Sequence, residues 1–221
     1  KSSNKNTFFG SHYSLGIATN RDAWCWNFSK NTLINNIRHT INFFNHLIKL
    51  QKNKYALPEI TGKDVVMTDR FIDDLKKGYH KSFKNDAVRT AEYRPFNKKM
   101  CYFDTELNQR IYKINNIFPS QTQKNISICV SGIGVLKKFS CIVTNFLPDL
   151  ELIGKSQCFP LYWYDKKAPY QPTLFDDKNT AQYTRRDGIT DFILERCRTN
   201  YSTKVTKEDI FYYVYGLLHS S

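Results

Sequence analysis

Leu33, Ile34, Ile37, Ile41, Phe44, Leu47 and Ile48 recur at spacings of three and four, the period of one helix face. The stripe predicts a helix over residues 30–51 with Ser29 as its N-cap. A helix with a continuous apolar face must bury it, so other elements have to pack there. A second helix is expected over about residues 64–80, with Val65, Phe71, Ile72, Leu75 and Tyr79 inward. Strand patterns then take over. Residues 87–94 and 100–103 flank Pro95-Phe96-Asn97-Lys98 and read as a hairpin. Short β-branched runs follow at 125–131 and 139–145. A third run, 157–164, is interrupted by Pro160, which suits an edge strand or a bulge. Residues 1–20 read as a loop or connector, and 165–187 as a polar loop. Two helices close the chain. One covers about 189–201, and the other starts from the capping-box string Thr206-Lys207-Glu208-Asp209. Its apolar face carries Ile210, Phe211, Val214, Tyr215 and Leu218. The expected fold class is therefore α+β or mixed α/β: a central mixed or antiparallel sheet with helices at the N- and C-terminal ends.

Charge and cysteine usage narrow the classes of function. Thirty-three Lys and Arg against twenty Asp and Glu leave a net charge of +13, spread along the chain rather than packed in one block. That distribution predicts a folded basic face and points to nucleic acid as partner. Six cysteines occur, but no two form a C-x-x-C pair, so neither a disulfide framework nor a zinc knuckle is spelled. Reduced, buried thiols and a cytoplasmic location are expected. No run of 18 apolar residues is present, so no membrane partner is expected. The chain opens on Lys1-Ser2-Ser3-Asn4 and stops after an apolar run, and it reads as a fragment of a longer protein.

No strong catalytic motif is spelled. There is no G-x-x-x-x-G-K-[ST], G-x-S-x-G or H-E-x-x-H, and the five histidines are scattered. An amino-methyltransferase would need an Asn/Asp-Pro-Pro-aromatic loop, and none is present. Asp149 and Glu151 with Lys155 form a nuclease-like string. A metal-dependent nuclease, however, needs its acid–x–Lys pair on one strand face. Here the gap is too long and Gly154 intervenes, so a solvated turn is expected.

Several strings taken together carry a resemblance. They are Asn20-Arg21-Asp22-Ala23-Trp24 with Asn27-Phe28-Ser29, Tyr93-Arg94-Pro95-Phe96-Asn97, and Tyr102-Phe103-Asp104 with Leu107 and Arg110. Val130-Ser131-Gly132, Pro148-Asp149 and Ser156-Gln157-Cys158-Phe159-Pro160-Leu161-Tyr162 follow, and residues 207–220 complete the set. In this order they resemble the C-terminal target-recognition (specificity) domain of type ISP restriction-modification enzymes. Asn97 stands where the family's motif commonly has Asp. The resemblance implies a parent protein with a nuclease, a helicase motor and an adenine-N6 methyltransferase, using S-adenosylmethionine, ATP and Mg. It implies that this segment is non-catalytic, with no cofactor of its own. It also implies double-stranded DNA as partner, and contact with the methyltransferase domain of the same polypeptide. Residues 1–28 would be a junction segment following that domain, and residues 29–221 the recognition domain.

A domain of this kind holds phosphates and reads base edges, with Arg suited to guanine and Asn or Gln to adenine. The candidate DNA-binding residues are Arg94, Lys98, Lys99, Lys166, Lys167, Lys178, Arg185 and Arg186. Arg94 has a structural alternative, pairing with Asp104 or Glu92. Arg21 with Asp22 reads as a structural pair. Tyr162, Trp163 and Tyr164 suit core packing better than base stacking, and Tyr212, Tyr213 and Tyr215 suit helix packing. Two other readings stay open: a structural coupling domain between methyltransferase and motor, and a single-strand or RNA binding module.

Overall fold

The computed structural model describes residues 6–62, 64–136, 138–167 and 182–220. In chain order the elements are β1 (Ser14–Leu15), α1 (Asp22–Cys25), β2 (Trp26–Asn27), α2 (Lys30–Lys52), α3 (Asp69–Lys77), β3 (Val88–Arg94) and β4 (Asn97–Tyr102). Then come α4 (Ile114–Ile117), β5 (Ser127–Val130), β6 (Cys141–Thr144), β7 (Leu147–Pro148), β8 (Gln157–Pro160), β9 (Tyr162–Lys166), β10 (Tyr183–Asp187), α5 (Asp191–Asn200) and α6 (Lys207–Leu217). The α+β class is the expected one, with the strands distributed over three small sheets. No helix among the described residues is long and apolar enough to cross a membrane. The chain forms two compact units: residues 18–91 with 97–111, and residues 1–17 with 92–96 and 112–221.

The first unit is built on α2. Ser29 is extended and accepts a hydrogen bond from the Thr32 N–H, so the helix starts where the sequence predicts. Leu33, Ile37, Ile41, Phe44, Leu47 and Ile48 are buried. Burying each such side chain contributes about 1.5–3 kcal/mol, which is why the stripe dictates the packing. Phe44 meets Phe71 of α3 edge to face at 5.1 Å. The second helix is shorter than expected. Residues 64–67 are not helical, because Thr61 and Asp64 form a local turn and Thr68 is the N-cap of α3. The helix ends at Gly78, whose φ of +69° is the left-handed conformation that stops helices. Val65 is buried from outside the helix, whereas Ile72 and Tyr79 are exposed. The hairpin of β3 and β4 turns on Pro95 and Phe96 alone, so Asn97 and Lys98 already lie in a strand.

The second unit centres on a sheet of order β1-β8-β5-β6, antiparallel throughout. Phe9, Ile128, Leu161, Ile189, Ile193, Ile210 and Phe211 form its core, with α5 and α6 supplying one side. The α6 capping box is present as its sequence predicts, with Thr206 and Asp209 bonding each other's backbone N–H. Val214, Tyr215 and Leu218 pack on the core, but Tyr212 and Tyr213 are exposed rather than packed. Residues 1–20 are more than a connector. Ser14 and Leu15 pair with β8, and Thr190, the α5 N-cap, donates its hydroxyl to Thr7 O and places Phe9 in the core.

The run 157–164 is two strands in different sheets rather than one. β8 ends at Pro160, beyond the reach of β1, where a missing N–H costs no ladder bond on that side. After Leu161 the chain enters β9, which pairs with β10 as a separate two-stranded ribbon. The expected polar loop at 165–187 thus contributes strand at both ends.

Candidate nucleic-acid interface

Asn125 sets the geometry of the β9–β10 ribbon. This buried amide donates to Ile117 O at 2.8 Å and Tyr162 O at 2.7 Å, and its Oδ1 accepts from the N–H of Ile126 and of Tyr162. Asn116 of α4 adds a bond to Tyr164 O, and the Tyr164 hydroxyl donates to Lys124 O. At the same end of the ribbon Gly188 donates to Leu161 O, and a Cβ at Gly188 would sit 1.9 Å from Pro160 O. Only glycine permits that return. Asn125 was legible in the sequence only as the start of a strand.

The ribbon register places Arg185 opposite Tyr164 and Arg186 opposite Trp163. Side chains alternate along a strand, so the two arginines lie on opposite faces. Arg185 lies over the Tyr162 ring at 4.3 Å, sharing its face with Lys166 and Tyr183. Arg186 pairs with Asp165 at 2.6 Å, an exposed bond that water competes for. On that second face Trp163 is buried, stacked by His12 at 5.2 Å and approached by Lys113 at 5.9 Å. Burial pulls the His12 imidazole below its ordinary value. Asp165 and a backbone bond at Asp187 oppose this, while Arg186 and Lys113 reinforce it. Trp163 and Tyr164 are core residues, as expected, and Tyr162 is half-buried beneath Arg185.

Arg94 pairs with neither Asp104 nor Glu92. Its guanidinium bonds Asp149 Oδ1 at 2.7 Å and lies over the Tyr93 ring at 4.0 Å, with its side chain 39% exposed. Asp149 is buried and also accepts from the Glu151 N–H, so the nuclease-like string is a carboxylate committed to Arg94 and a turn. Among the described residues no group of three His, Cys, Asp or Glu could hold a metal ion. Lys98 and Lys99 lie on β4 in the other unit, with Lys99 Nζ 4.9 Å from the ring of exposed Phe28. Lys166 and Lys167 are exposed, and the Lys167 N–H bonds Gln182 O. Lys178 lies outside the described residues. Arg21 is not paired with Asp22. It donates to Thr19 O and Thr68 Oγ1, while Asp22 accepts from the Thr19 hydroxyl.

Comparison with known proteins gives this arrangement a family. A match to the DrdV–DNA complex has a TM-score of 0.78 and 32% identity, covering 94% of this chain and 19% of that one. The ATP-dependent Type ISP restriction-modification enzyme LlaBIII bound to DNA matches with a TM-score of 0.75 and 29% identity, over 96% of this chain and 13% of that one. A nuclease-deletion mutant of the Type ISP enzyme LlaGI, in complex with a DNA substrate mimic, matches at 0.73 and 28%, over 97% and 15%. The chain thus spans less than a fifth of the length of each of these proteins. No curated protein matches it. The profile of the Type ISP C-terminal specificity domain matches residues 8–221, and the chain belongs to that family.

Proposed function

We propose that this chain recognises a target sequence in double-stranded DNA on behalf of a restriction-modification enzyme. The observation that carries the reading is the match of nearly its whole length to domains of enzymes solved with DNA. Its net charge of +13 supports the same partner. In this reading Arg185 and Lys166 of the ribbon face the duplex, with Tyr162 stiffening Arg185 from beneath and Lys167, just past the strand, holding a phosphate. Lys98, Lys99, Lys178 and Arg186 hold phosphates, and Arg94 orders its own loop through Asp149. Residues 1–28 form the junction with a preceding methyltransferase domain, which this chain contacts, and residues 29–221 are the reader. Adenine-N6 methylation and motor-driven cleavage belong to the rest of a cytoplasmic parent protein, where S-adenosylmethionine, ATP and Mg are bound. The methyltransferase would flip its adenine out of the duplex held by this domain.

The test is retention from a randomised duplex library at low and moderate salt, followed by sequencing. An enriched motif that is lost in Arg185→Ala is the expected result. Retention without enrichment, both alone and joined to the methyltransferase domain, would sink the reading. Tighter retention of unpaired strands would favour a single-strand module instead.

A further inference from the structure

A second basic feature lies in the unit built on α2, where a cleft of about 410 Å³ is lined by Arg21, Thr68, Asp69, Arg70, Asn108 and Gln109. Arg21 is only 3% exposed. Two of its guanidinium nitrogens are satisfied, by Thr19 O at 3.1 Å and Thr68 Oγ1 at 3.0 Å, but its Nε has no hydrogen-bond partner. Its charge rests against the Phe71 ring at 4.8 Å and the Trp24 ring at 6.0 Å. Among the described residues it forms no ion pair. A buried cation without a counter-ion is costly, and aromatic faces return only part of that cost. An anion in the cleft would return the rest.

The other walls favour the same ligand. Arg70 sits in the first turn of α3 and spends one nitrogen on Thr105 O. Thr68 is the N-cap, but its hydroxyl accepts from Arg21 and caps no N–H of this nine-residue helix. The first-turn N–H groups and the helix dipole therefore favour an oxyanion. Asn108 is spent on Asp104 N and Tyr102 O, so it shapes the cleft rather than contributing a donor. The side-chain amide of Gln109 makes no hydrogen bond among the described residues. Asp69 is the single carboxylate in the lining, against two guanidiniums.

We propose that this cleft binds one phosphate group, a backbone phosphodiester of the DNA, between Arg21, Arg70 and the start of α3. The choice of DNA as source rests on the function proposed above. The site contributes affinity and register without reading bases, as phosphate contacts do.

Two measurements on the full chain test this separately from target reading. In the first, thermal melting is compared in inorganic phosphate and in chloride at matched ionic strength. Phosphate should raise the melting temperature of the wild type, less so for Arg70→Gln, with Arg70→Lys retaining part of the shift. Arg70 is exposed, so its variants should fold even if Arg21→Gln does not. An equal shift in wild type and Arg70→Gln overturns the site. In the second, duplex affinity is measured against salt. Arg70→Gln should weaken all sequences alike and reduce the log–log slope by about 0.9, the value for one lost phosphate contact. An unchanged slope overturns DNA as the source and leaves a free-phosphate site. Loss of the phosphate shift and of one slope unit in Arg70→Gln, with no motif enriched from the duplex library either alone or joined to the methyltransferase domain, upholds the site while refuting target reading.

Discussion

Replacing Asn125 by Ala tests whether one buried amide holds the proposed DNA-facing ribbon in place. The side chain makes four bonds: two as donor to Ile117 O and Tyr162 O, two as acceptor from Ile126 N and Tyr162 N. Truncation strands those partners in a site where Asn125 itself is 6% exposed. Each stranded group costs about 1–3 kcal/mol when water cannot reach it. The Ile126 bond is to the adjacent residue and the ribbon end can relax, so a net loss of about 2–4 kcal/mol is the reasoned figure. At roughly 2–4 °C per kcal/mol for a chain of this size, melting should fall by about 4–16 °C. Scanning calorimetry or fluorescence melting reads this directly. Asn125→Asp sharpens the test, because it keeps an acceptor but turns a charged oxygen toward two carbonyls. It should be at least as destabilised as Asn125→Ala at pH 7, and partly recovered in acid once the carboxyl protonates and donates. A shift under about 2 °C in Asn125→Ala, or no acid recovery of Asn125→Asp relative to wild type, would show that this amide does not hold the ribbon.

Three further outcomes are expected. Arg94→Ala should cost about 2 kcal/mol, below the usual loss for breaking a buried pair because Arg94 is partly solvated. Adding Asp149→Asn should return part of it, and strictly additive losses in that double-mutant cycle would count against the pair. His12 has a folded pKa below its ordinary value, so as pH falls the unfolded chain takes up the proton first. Its contribution is complete above about pH 6.5 and is lost below it, and His12→Gln should flatten melting temperature between pH 7.5 and 5.5. An unchanged slope in that variant would assign the effect elsewhere. Finally, Cys141 and Cys197 are half-buried while Cys25, Cys101, Cys129 and Cys158 are buried. Burial also pushes the Cys141 thiol up to about 11. A thiol reagent at pH 8 should modify the half-buried pair slowly and the other four only on unfolding, and rapid reaction of more than two thiols in the native state would contradict the packing.

Local features were legible in the chain's own residue pattern. The stripe from Leu33 to Ile48 specified α2 and its buried face, because a helix repeats within one turn of its own chain. The Thr206–Asp209 box placed the start of α6 for the same reason. Family membership was also legible, since ordered short motifs survive without any knowledge of their contacts. Which polar groups converge emerges only in the folded chain. Arg94 lies 55 positions from its partner Asp149, and Arg21 lies 47 from Thr68, so no window of sequence shows either pairing. The break at Leu161 was equally hidden. β8 and β9 are nearly continuous in sequence, and it is Asn125 and Gly188, pinning Tyr162 and Leu161 from elsewhere in the chain, that send them into different sheets. Long-range closure of this kind depends on buried hydrogen bonds, whose partners exist only once the core has formed.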